Sequence, residues 1–113
     1  MNSGTDKKPG IGGLTEQDLT TIIEVLEQHT LVDQALLFGS RAKGNYKNGS
    51  DVDIALKGRH LDFKAITRIS YLLNEETKLP YRFDVLDYYK TNEAIAAHID
   101  RVGIVFYERK ENY

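Results

Sequence analysis

Leu19, Ile22, Ile23 and Leu26 fall at i, i+3, i+4 and i+7, one apolar stripe of an amphipathic helix. Thr15 stands where it can cap that helix, and Asp18, three residues on, can bond back or complement the helix dipole. The period then changes. Ala35 to Phe38 is a short continuous apolar run of the kind a buried strand shows, and Gly39-Ser40 breaks it. From Asp51 to Leu56 the alternation sets Asp51, Asp53 and Ala55 on one strand face and Val52, Ile54 and Leu56 on the other. Between these strands, Arg41 to Ser50 carries Gly44, Asn45, Asn48 and Gly49, the chemistry of a connecting turn.

A second helix is expected from about Asp62 to Glu76, with Phe63, Ile66, Ile69 or Ser70, and Leu73 inward and Pro80 barring continuation. Tyr81 to Leu86 reads as a third strand on which Arg82, Asp84 and Leu86 alternate with Tyr81, Phe83 and Val85. Asn92 can cap a last helix ending near Val102, Gly103 supplies a turn, and Ile104 to Tyr107 forms a final strand. The order helix, strand, strand, helix, strand, helix, strand predicts an α+β fold, a mixed β-sheet with helices packed mainly on one face. Residues 1–13 hold four of the nine glycines and little apolar surface, so they are expected to be a mobile tail before a single domain over residues 14–113.

At 113 residues the chain is long enough for one core and too short for a second substrate domain. Its net charge of −2 gives no reason to expect nonspecific binding to nucleic acid. There is no cysteine, which fits a reducing compartment. His29, His60 and His98 are scattered and do not form a zinc pattern. No run is long enough to span a membrane and no secretory signal opens the chain, so a cytoplasmic protein is expected.

The chemistry concentrates in LFGSRAKGNYKNGSDVDIAL, where ten residues separate Gly39-Ser40 from Asp51-Val52-Asp53. The turn after Gly39 can direct N–H groups at an anion, and the Ser40 hydroxyl stands beside them. Asp51 and Asp53 offer two carboxylates on one strand face, hard oxygen ligands of the kind Mg²⁺ takes together with substrate phosphates. A third acid would let two ions sit about 3.5–4 Å apart. Asp84, flanked by Phe83 and Val85 in mid-strand, is the candidate, and it could also take a proton from a nucleophile. Asp87 is its rival. Arg41 fits a phosphate contact and a surface salt bridge equally well. Tyr88 and Tyr89 read as core or rim, and Lys43 and Lys47 as solvated loop charges. The motifs GxxxxGK[ST] and GxGxxG are absent.

Gly39-Ser40, ten residues, Asp51-x-Asp53 and a later strand Asp together resemble the minimal nucleotidyltransferase branch of the DNA polymerase β-like superfamily. The resemblance runs from about Leu14 to Tyr107 and includes the ending IAAHIDRVGIVFYE. It implies a nucleotidyltransferase fold in which Asp51, Asp53 and Asp84 are catalytic and hold Mg²⁺. Gly39 and Ser40 then contact the triphosphate of ATP, with Arg41 and Ser50 as further candidates for binding the nucleotide. It further implies a HEPN-type helical partner protein in a hetero-oligomer, with the chain acting as antitoxin by moving AMP to a tyrosine of the partner. A different class of function also fits a chain this small: a nucleotide-binding subunit that works by occupying its partner without turnover.

Overall fold

A computed structural model describes residues 10–110. The order is α1 (Glu16–Glu27), β1 (Gln34–Phe38), α2 (Gly39–Lys43), β2 (Val52–Lys57), α3 (Phe63–Tyr71), a π-helical turn (Leu72–Glu76), β3 (Phe83–Asp87), a 3₁₀ turn (Tyr88–Lys90), α4 (Glu93–Val102) and β4 (Ile104–Glu108). The helix starts follow the sequence. Thr15 and Asp18 form a reciprocal capping box at 3.0 Å each way, and Asn92 accepts the N–H of Ile95 at 2.8 Å. Asp62 caps α3 in the same way, through the N–H of Ala65.

The four strands form one mixed sheet in the order β3-β2-β1-β4. β1 runs antiparallel to both β2 and β4, whereas β2 and β3 are parallel, the pairing that requires a crossover such as α3. The pleat sorts the side chains onto two faces. Ala35, Leu37, Val52, Ile54, Leu56 and Phe83 join Ile22 and Leu26 of α1 and Ile69 of α3 in the larger core. Leu36, Phe38 and Ala55 face the other way and pack with Ile99 of α4. The helices thus favour one face, with α4 alone among the longer ones on the other.

Five details depart from the sequence reading. Phe63, expected on the inner side of the second helix, is 82% exposed. Gly39 to Lys43 is a helical turn, not loop. The long second helix gives way at Leu72 to a π turn, which aims the Asn74 amide at β3: its oxygen accepts the N–H of Phe83 at 2.8 Å and its nitrogen donates to the Phe83 carbonyl at 3.1 Å. The third strand begins two residues later than expected and runs on to Asp87. Residues 10–13, expected in the tail, are packed: Ile11 bridges Leu14, and the Gly12 carbonyl accepts from Arg41. The expectation of a mobile tail over residues 1–9 lies outside the described residues. Among the described residues no helix is long and apolar enough to cross a membrane.

Candidate active site

The acidic face follows from strand register. Asp53 pairs with Phe38 on β1 and with Asp84 on β3, so Asp53 and Asp84 are direct neighbours across two parallel strands, about 4.8 Å apart along the backbone. Both lie on the face that also carries Ala55 and Leu86. Asp51 stands one residue before β2 and is exposed. Gly39 has φ +74°, and a Cβ there would strike the Asp53 carboxylate, so both conformation and space require glycine. The structure therefore gathers Gly39, Asp51, Asp53 and Asp84 at one end of β1, β2 and β3.

Asp87 belongs elsewhere. It lies on the opposite face of β3 from Asp84, where its carboxylate accepts the Tyr89 N–H at 3.1 Å and sits 3.9 Å from the Lys90 ammonium. Ser40 occupies the first turn of α2, a helix with no side-chain cap at its start, which leaves that turn's N–H groups without a side-chain acceptor. Lys43 and Lys47 are exposed. Tyr88 packs beneath α4 with its hydroxyl donating to Asp100, and Tyr89 is exposed.

Arg41 and Ser50 do work that the sequence did not reveal. Arg41 is only 4% exposed. Its Nε and Nη2 donate to the Ser50 carbonyl at 3.1 and 2.9 Å, and its Nη1 donates to Gly12 at 2.8 Å. The guanidinium also lies over the rings of Tyr46 and Tyr81, 5.2 and 5.0 Å from their centroids. Ser50 meanwhile accepts the Lys47 N–H through its hydroxyl, closing the turn that delivers Asp51. One buried cation thus ties the residue before Asp51 to Tyr81, three residues before Asp84. Its counterpart Gly12 sat in a segment read as tail, and no local pattern pointed to it.

The acidic face carries an electrostatic cost. Burial, then the charges of Asp84 and Asp51, push the Asp53 carboxyl up to about 6. A bound cation would relieve that repulsion, and three hard carboxylate donors suit Mg²⁺. Among the described residues no group of three His, Cys, Asp or Glu side chains is placed to hold a metal ion by itself. Mg²⁺ does not require one, because waters and substrate phosphates fill its remaining positions.

Two outcomes follow from this geometry. Asp53 is folded with a pKa above its ordinary 3.8, so the folded state holds a proton that the unfolded chain has released between about pH 4 and 6. Stability accordingly falls as pH rises through that window. Asp53→Asn should raise metal-free stability at pH 7.5 by on the order of 1 kcal/mol, after screening by water, and have little effect at pH 4; a destabilised variant at pH 7.5 would contradict the assignment. Arg41→Lys should lose about 2 kcal/mol in urea unfolding, because an ammonium cannot serve both carbonyls and both rings. An arginine reserved for a phosphate would leave stability within about 0.5 kcal/mol of wild type.

Comparison with known proteins shows the family and the fold. Residues 20–112 match the family model described as polymerase beta, nucleotidyltransferase. A curated protein of Haemophilus influenzae, probable protein adenylyltransferase MntA, is 32% identical over 99 residues, covering 87% of this chain and 86% of its own. The fold is similar to that of a toxin-antitoxin crystal structure with AMP-PNP, at TM-score 0.70 and 22% identity over 82% of this chain and 75% of the other. It is also similar to a chain in the complex of tri-AMPylated Shewanella oneidensis HEPN toxin with MNT antitoxin, at TM-score 0.66 and 20% identity over 83% and 72%. With its acidic face on the expected strands and the family model spanning most of its length, the chain belongs to the polymerase β nucleotidyltransferase family.

Proposed function

We propose that this nucleotidyltransferase uses Mg-ATP to transfer AMP to a tyrosine hydroxyl of a HEPN-type helical partner, and that it acts as the antitoxin of the pair in the cytoplasm. The observation that carries the reading is the row formed by Gly39, Asp53 and Asp84 on neighbouring strands, with Asp51 beside it. The name of the Haemophilus influenzae relative and the toxin-antitoxin complexes of similar fold support the choice of a protein acceptor.

In this reading the first turn of α2, with Gly39 and Ser40, holds the terminal phosphates. Asp51, Asp53 and Asp84 would hold two Mg²⁺ ions, which supply charge neutralisation at the phosphates and activation of the acceptor oxygen. The acceptor oxygen bonds to the α-phosphorus, the bond from that phosphorus to the bridging oxygen breaks, and pyrophosphate leaves with the electron pair. Asp84, exposed at the outer strand, accepts the hydroxyl proton. Arg41 and Ser50 act through the backbone by fixing the loop before Asp51, in place of touching the triphosphate. Asp51 and Asp84 are exposed, so a partner seated over them would also exclude water from the reaction.

The test is transfer of label from ATP marked at the α-phosphate to the co-purified HEPN-type partner in the presence of Mg²⁺. Wild type should label a tyrosine of the partner, and the Asp51→Asn, Asp53→Asn double variant should lose at least about a thousandfold in rate. Wild type that binds both ATP and partner yet moves no label would identify a binding subunit without turnover.

A further inference from the structure

The chemistry described above fixes a direction across the sheet. Gly39 follows β1, Asp53 stands on the central β2, and Asp84 stands on β3 at the sheet edge. In-line displacement puts the entering and leaving oxygens on opposite sides of the phosphorus. With pyrophosphate held at the Gly39 end, the acceptor must approach from the β3 end. A groove of about 880 Å³ lies there, walled by α3 and the π turn on one side and by β3 on the other, with Asp84 in its lining.

The main chain at this edge is arranged for a further strand. The Arg82 carbonyl accepts from the Val52 N–H, so by the alternation of a parallel ladder the main-chain groups of Phe83 and Val85 point away from β2. Those of Phe83 are already closed by the Asn74 amide. Those of Val85 open onto the groove, and no described group bonds to them. The walls mix exposed Thr67, Tyr71, Glu75 and Arg82 with Leu79 and Pro80, a surface suited to alternate side chains of an extended peptide.

We propose that this groove is the subsite for the acceptor protein: an extended segment of the HEPN-type partner pairs with Val85 along β3 and presents its hydroxyl to Asp84. The proposal rests on the reading of the chain as an adenylyltransferase acting on a protein. Edge pairing supplies affinity through main-chain bonds, while Asp84, next along the strand, faces the sheet surface where the row of Gly39 and Asp53 lies.

The test uses the full chain with the co-purified HEPN-type partner. Thr67→Trp, on the exposed groove wall, should raise the KM for the partner at least tenfold while kcat at saturating partner and affinity for AMP-PNP stay within twofold. In wild type, binding of the partner should slow hydrogen exchange at the Val85 amide at least tenfold. An unchanged KM with unprotected Val85 would overturn the proposal, as would weakened AMP-PNP binding in Thr67→Trp, which would give the groove to the nucleotide. Failure of wild type to transfer AMP would sink the catalytic reading, and Val85 exchange would still decide whether the partner occupies the groove.

Discussion

The repulsion among three carboxylates on one sheet face is the constraint around which this molecule is organised. Asp53 is half-buried between Asp51 and Asp84 and lies against Gly39, and its carboxyl is pushed up to about 6 as a result. A sequence selected for stability alone would not keep this arrangement. Replacing one acid by a neutral residue would relieve the charge without opening a cavity, since Asn nearly matches Asp in volume. In the proposed function a cation bound together with substrate phosphates would offset that charge.

Holding such a cluster in place requires rigidity nearby, and the fold supplies it from two directions. Regular pairing fixes Asp53 and Asp84 side by side on β2 and β3. Asp51 lies outside the ladder, and its position depends on the loop that Arg41 ties down through Ser50. The same guanidinium touches Tyr81, whose hydroxyl donates to Asp18 at 2.7 Å and so joins the approach to β3 to the cap of α1. Asn74 then fixes Phe83, the first residue of β3. Each arm of the acidic face is therefore anchored by a buried polar contact just upstream of its carboxylate, which is how preorganisation is built into a small sheet.

Much of this was legible from the sequence because it depends on period. The alternation through Asp51 to Leu56 and the apolar run Ala35 to Phe38 gave β2 and β1 nearly residue for residue, and Thr15 and Asn92 marked the starts of α1 and α4. Asp84 was separable from Asp87 only once the length of β3 was known, because the face of a residue depends on the strand continuing through it. A five-residue helix is too short to show a 3.6-residue period, so Gly39 to Lys43 read as loop. The π turn was hidden because its reason, the Asn74 bond to Phe83, spans two elements. Arg41 was hidden for the same reason: a buried arginine satisfied by carbonyls and rings, with no carboxylate in ion-pair contact among the described residues, leaves no local mark in the chain.

The central claim is that Asp53 is held in an unfavourable charge environment that a cation relieves. The direct measurement is an NMR titration of the Asp53 carboxyl carbon in the folded chain, without and with saturating Mg²⁺. The account predicts a midpoint near 6 without metal, as burial and the two neighbouring acids require, and a midpoint lower by at least one pH unit with Mg²⁺. A midpoint at the ordinary 3.8 that Mg²⁺ does not move would contradict it.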